Sequence, residues 1–204
     1  MMLPSGNDAA YALAEHFGHL LEDRKQVHII PTCPSPLFIN TPVKHFLKEM
    51  NHQAHKLKMT HSHYDSPHGL MNKSNYSTAE DQAILVAEVM KLEPFRKIVN
   101  TREYKTKALN GLEGRKNVTE YTWTNTNKLL GKMDGLLGCK TGITQAAGHC
   151  FAGYYEDKNL KIAIILCHSR SLEDRWIEVQ KMVEWAKIQR IKTKELQNRE
   201  AKIG

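Results

Sequence analysis

No stretch of this 204-residue sequence approaches the length of an apolar segment that crosses a bilayer, so the sequence as it runs carries no transmembrane helix. Its four cysteines, Cys33, Cys139, Cys150 and Cys167, form no Cys-x-x-Cys pair and no zinc-type spacing, which argues against a metal framework. Cys150 and Cys167 fall in apolar candidate strands, where a free cysteine serves as a small buried hydrophobe, and the redox compartment stays open. Neither a basic n-region nor an apolar h-region follows Met1-Met2-Leu3-Pro4-Ser5, so a product starting at Met1 carries no signal peptide and is expected to stay inside the cell. An array of stacking aromatics is missing too. Without one, the formal net charge of +7 does not indicate nucleic acid, and an anionic surface or a carboxylate-bearing substrate accounts for it equally well.

What is present fits a globular protein with one core: 41% of residues are hydrophobic and 25% charged, in a length close to that of one domain. Part of the positive excess lies after Trp185, where Lys187, Arg190, Lys192, Lys194, Arg199 and Lys202 alternate with acidic and polar residues as on a solvated helix face. Ala9, Ala10, Leu13, Ala14 and Phe17 keep helical spacing from Asp8, and Gly18 reads as a stop. Four prolines around Cys33 make residues 23 to 42 an irregular excursion. Thr41-Pro42 then opens a second helix with Phe46, Met50, Ala54 and Leu57 on one face. Ser77-Thr78-Ala79-Glu80 reads as a capping box for a third helix, with Pro94 just past its end.

After Arg102 the texture turns to alternation, with Asn110-Gly111 between Tyr104-x-Thr106 and Tyr121-Thr122-Trp123-Thr124 suggesting short strands or a hairpin. Two antiparallel strands are expected between Gly148 and His168, turning at Glu156-Asp157-Lys158-Asn159. Ser171 with Asp174 caps a closing helix whose stripe is Trp176, Val179, Val183 and Ala186. Helices first, then strands, then a closing helix argue for an α+β fold.

Two triplets carry chemistry. Ser5-Gly6-Asn7 stands at a helix start, where ordinary N-capping accounts for it when taken alone. Lys140-Thr141-Gly142 precedes the strand hairpin, where a glycine turn with a solvated lysine accounts for it equally. Penicillin-interacting enzymes join Ser-x-x-Lys, a Ser-Asp-Asn-type triplet and Lys-Thr-Gly in that chain order, and here the second and third follow one another in order. Pro67-His68-Gly69-Leu70, Tyr76 to Asp81, Phe95 to Val99, Asn125 to Leu130 and Gly138 to Gly142 extend the match. From Ser5 to about Ile188 the sequence resembles the D-alanyl-D-alanine carboxypeptidase family, peptidase family S11, the low-molecular-weight penicillin-binding proteins.

The resemblance implies a β-lactamase/transpeptidase-like α+β domain, partial over residues 1–190, with a charged tail at 191–204. It implies a serine enzyme that removes the terminal D-alanine from cell-wall peptides by acyl transfer, without a cofactor and without a metal. The implied partners are a peptide ending in D-Ala-D-Ala and, where the nucleophile is present, β-lactams, but no nucleic acid. The family is exported, periplasmic or extracellular. By resemblance Ser5 relays a proton towards the departing amine and Asn7 holds the substrate amide. Lys140 and Thr141 take the substrate carboxylate, Gly142 admits its backbone, and the N–H of Ile143 forms half of the oxyanion hole.

One departure is large: no Ser-x-x-Lys occurs anywhere in the 204 residues, and the nearest imitation, Thr41-Pro42-Val43-Lys44, lies after the triplet and uses threonine. The nucleophile is therefore expected upstream of Met1, with the chain N-terminally truncated and inactive alone. The alternative is an inactive relative that binds a peptide or protein partner. A β-lactamase shares the three motifs, but no segment here supplies its deacylating glutamate. His52, His55, His61, His63 and His68 crowd together with Asp65 as the one plausible acidic partner, too poor a set for a metal, and His68 before Gly69 reads as a turn residue.

Overall fold

The computed structural model describes residues 1–23, 41–110 and 117–201. They form two compact units, one of Met1 and Ser5–Leu85, the other of Met2–Pro4 and the residues from Val86 onward. The proline-rich stretch around Cys33 and the turn at Gly111 lie outside the described residues.

In the first unit, helix α1 (Asn7–Asp23) packs against α2 (Thr41–Lys56). Gly18 does not end α1, contrary to its reading as a stop. The helix runs through it because a Cβ at Gly18 would stand 1.9 Å from the Pro42 carbonyl oxygen, so glycine serves close approach of backbones. Leu57 falls one residue beyond α2, while Ala54 is buried as expected. Helix α3 (Ala79–Val89) starts one residue later than the Ser77 capping box requires: Thr78 Oγ1 accepts from the Asp81 N–H at 3.1 Å. The Asp81 carboxylate is then left to accept from His61 N–H and Ser62 Oγ, tying the preceding loop to the helix. His68 does serve a turn, its Nδ1 accepting from Leu70 N–H beside Gly69 at φ 75°.

In the second unit a short helix α4 (Glu93–Val99), with Pro94 in its first turn, was not foreseen from sequence. Strands β1 (Glu103–Asn110) and β2 (Asn117–Thr124) pair antiparallel, Glu103 opposite Thr124. A three-stranded antiparallel sheet follows in the order β3 (Leu136–Thr144), β4 (Gly148–Glu156), β5 (Lys161–Ser169), and α5 (Leu172–Glu200) closes the chain. Ser171 Oγ accepts from Asp174 N–H at 3.0 Å as its sequence pattern predicts. The helix continues unbroken through residues 191–200.

The sheet is covered on both faces. Phe151, Tyr155 and Ile164 point to α5, where Val179 and Val183 are fully buried, while Ala152, Tyr154, Ala163 and Ile165 point to a second cluster of Val86, Met90, Val99 and Cys139. The period-2 alternation along β4 and β5 produces this division, since successive side chains take opposite faces. At the turn end of the sheet, Lys161 and then Arg96 hold the Glu156 carboxyl below the usual carboxylate range. The cysteine expectation is corrected. Cys139 is the buried thiol, pushed up to about 12 by burial, whereas Cys150 is half-buried and Cys167 exposed, each near the end of its strand.

Candidate active site

Ser5 and Asn7 stand where the first unit enters α1. Ser5 adopts φ 60°, a left-handed backbone uncommon for a residue with a Cβ and one that costs on the order of 1–3 kcal/mol. The Gly6 N–H, donating to the Met1 carbonyl oxygen at 3.1 Å, closes the turn that imposes it, and Gly6 O accepts from Ala10 N–H. Strain of this kind persists where surrounding structure over-determines it, and it concentrates at functional sites. Asn7 opens the helix and is exposed.

Lys140, Thr141, Gly142 and Ile143 lie inside β3 rather than ahead of a hairpin, which adds a third strand to the two expected from sequence. The apolar run on either side of the triplet is short, so its strand character shows only in the pairing of Lys140 with Ala152 and Gly142 with Cys150. β3 pairs with β4 alone among the described strands, so its other edge is not taken by a strand there. Ile143 is 57% exposed. A Cβ at Gly142 would meet nothing within 4 Å, and its φ is not of the left-handed kind, so neither packing nor backbone conformation demands glycine there.

The side chains of this strand are held from behind. Thr141 is 7% exposed and its Oγ1 lies 2.7 Å from Thr126 Oγ1, while the Thr126 N–H donates to Leu3 O at 3.2 Å. The Lys140 ammonium donates to the Thr141 carbonyl oxygen. Burial, and after it the nearby Arg175 guanidinium, lowers the Lys140 pKa from the ordinary lysine value, because both disfavour a second positive charge in a poorly solvated place.

Arg175 was missed from sequence. It is 2% exposed, its guanidinium donates to Cys150 O at 3.1 Å and lies 4.3 Å from the centroid of the Trp176 ring. Its Nε has no hydrogen-bond partner, and no carboxylate among the described residues comes within ion-pair distance of it. The available signal was its spacing: Arg175 lies four and eight residues before Val179 and Val183, on the buried row of α5. Burial lowers its pKa as well. Two desolvated cations thus lie near one another in the second unit, and the charge of Arg175 disfavours that of Lys140. Among the described residues no group of three or more His, Cys, Asp or Glu has a metal-holding arrangement, and His63 instead contacts Ser74 O and stacks on Tyr76.

The sequence profile of the D-alanyl-D-alanine carboxypeptidases, peptidase family S11, matches residues 38–170. The chain belongs to this family. A D-alanyl-D-alanine carboxypeptidase of a Streptomyces species is 35% identical over 150 residues, covering 74% of this chain and 45% of that protein. D-alanyl-D-alanine carboxypeptidase DacF of Bacillus subtilis is 28% identical over 185 residues, covering 90% of this chain and 40% of the relative. The chain therefore spans less than half the length of these family members. Among solved structures, a Streptomyces DD-transpeptidase superimposes with a TM-score of 0.75 at 31% identity, over 91% of this chain and 64% of that one. Penicillin-binding protein D2 of Listeria monocytogenes, in its cefotaxime-bound form, gives 0.63 at 29% identity over 90% and 62%. The β-lactamase/transpeptidase-like α+β fold expected from sequence is the fold of these neighbours. The residues matched by the family profile include Lys140 to Ile143 but not Ser5, Asn7 or Arg175.

Proposed function

We propose that the protein is a serine-type D-Ala-D-Ala carboxypeptidase of peptidoglycan peptides, to which residues 1–190 contribute part of the catalytic domain and the carboxylate-binding strand of the site. The observation that carries this reading is a lysine-arginine pair: Lys140 of β3 and Arg175 of α5 are desolvated near each other, and Arg175 has no carboxylate partner among the described residues. A terminal carboxylate is drawn to these two positive charges, with Thr141 adding a hydroxyl oriented by Thr126. The edge of β3 that no described strand takes accepts an extended peptide by strand addition, and the space over Gly142 admits its backbone. Ile143 N–H is assigned to the oxyanion hole, Ser5 to proton relay and Asn7 to the substrate amide.

The sequence contains no Ser-x-x-Lys, so the covalent step is assigned to no residue of these 204. That same feature favours one second reading, an inactive family member that binds a carboxylate-terminated peptide. As in the cefotaxime-bound relative, a β-lactam is the matching inhibitor, and the family points to an exported protein. Calorimetric titration with a tripeptide ending in D-Ala-D-Ala against its C-terminal amide tests carboxylate binding. The acid should bind at least about tenfold tighter, and equal affinities would remove the basis of the proposal. Labelled penicillin then separates the two readings, since covalent capture by the whole protein requires a nucleophilic serine.

A further inference from the structure

Cys150 and Cys167 are separated by a whole hairpin in sequence, yet the sheet sets them against each other. In the β4–β5 pair Ala152 faces Ile165 and Phe151 faces Leu166. The register then shifts between Phe151 and His149, which faces Ser169, so that Cys150 alone stands against the two residues Cys167 and His168, the latter at φ 58°. The Cys167 and Cys150 side chains touch there. Both cysteines therefore project from the sheet face that also carries Ala152 and Ile165. Side chains directly opposite in an antiparallel pair have Cβ atoms about 4.5–5.5 Å apart, against about 3.5–4.5 Å in a disulfide. The remaining adjustment is small, and a bulge is where a ladder yields most easily.

The surroundings separate this pair from the other described cysteine. Cys167 is exposed and Cys150 half-buried, its thiol donating to Ala147 O at 3.3 Å, while Cys139 is enclosed in the core. Burial, and after it the Cys150 thiol beside it, push the Cys167 thiol up, which records the contact between the two sulfurs and makes mildly alkaline pH the condition for reaction. Cys150 also stands opposite Gly142 on β3, and its carbonyl holds Arg175. One member of the pair thus lies on the strand next to Lys140 to Ile143.

We propose that Cys150 and Cys167 are a redox-active dithiol, a site at which a low-molecular-weight disulfide such as oxidised glutathione closes a cross-strand disulfide. The Cys167 thiol gives its proton to solvent, and its thiolate attacks one sulfur of oxidised glutathione. A Cys167–glutathione bond forms as the first glutathione thiolate leaves and takes up a proton. The Cys150 thiolate, deprotonated in the same way, attacks the Cys167 sulfur, forming the Cys150–Cys167 bond and expelling the second glutathione. The protein dithiol loses two electrons, and the glutathione disulfide is reduced to two thiols. Nothing in this step depends on the carboxypeptidase reading.

The test is incubation of the full 204-residue chain with oxidised glutathione at mildly alkaline pH, followed by alkylation in denaturant and peptide mapping without reduction. The expected product is one Cys150–Cys167 link, lighter by two hydrogens, with Cys139 recovered as its alkylated form. The linked chain should melt roughly 5–10 °C higher, because the link closes a loop in the unfolded state. Cys150→Ser should leave Cys167 as a stable glutathione adduct, and Cys33→Ser should form the link in the same yield. Persistence of both thiols, glutathione adducts without a link, or a link through Cys33, Cys139 or a second chain would overturn the assignment.

Discussion

Arg175→Met separates a residue kept for a ligand from one kept for the fold. Methionine preserves an unbranched stem in the same slot but removes the charge. Three contributions decide the free chain. Loss of the donor to Cys150 O leaves a carbonyl unsatisfied, at about 1–3 kcal/mol, and loss of the contact over Trp176 costs about 0.5–2 kcal/mol. Against these stands relief of a guanidinium 2% exposed with no carboxylate in reach among the described residues, a penalty of several kcal/mol. The balance is close to neutral, within about 1 kcal/mol of wild type, or within about 4 °C in Tm for a chain of this size. For a bound carboxylate the loss is one-sided. A charge-assisted hydrogen bond worth about 1.5–3 kcal/mol disappears, weakening a D-Ala-D-Ala tripeptide by about 10- to 150-fold. Thermal melting and titration calorimetry on the same preparations measure both numbers. A variant that loses more than about 3 kcal/mol of stability yet binds the peptide as well per folded molecule would show that Arg175 serves the fold, and the reasoning would fail.

The two glycines of the β3 segment make an opposed pair: Gly138→Ala places a Cβ 2.3 Å from the Val99 carbonyl oxygen and should cost about 1–3 kcal/mol in denaturant unfolding. Gly142→Ala should leave unfolding unchanged while weakening the tripeptide, and a stability loss at Gly142 would contradict the open space there. The lowered Lys140 pKa has a pH consequence with a definite sign: carboxylate affinity falls as pH rises through a value below the ordinary lysine pKa, because the ammonium is lost there. Over the window between that lowered value and the unfolded one, the unfolded chain binds more protons than the folded one, so the Lys140 contribution to the stability of the free chain rises with pH. In Arg175→Met the affinity window should move to higher pH, and titrations at several pH values would show it.

Several elements were legible in the sequence. The stripe from Trp176 through Val183, the Ser171–Asp174 cap and the hairpin turn at Glu156 to Asn159 are local patterns, and local patterns survive into the fold because helix and strand periods are set by the backbone itself. Where the sequence misled, a competing contact had intervened. Gly18 serves helix approach instead of a helix end, and Thr78 displaces Ser77 as the cap while Asp81 is drawn to His61 and Ser62.

The sequence by itself determined the α+β class, the family, and the two triplets that suggest a site, because residue types at fixed short spacings carry that information. Tertiary structure alone placed Arg175 near Lys140, aligned Thr126 with Thr141, made Lys140 to Ile143 part of a strand, and brought Cys150 and Cys167 into contact. Each of those depends on strand register or on which face of α5 meets the sheet. Such relations join residues tens of positions apart, and packing has to choose among many of them.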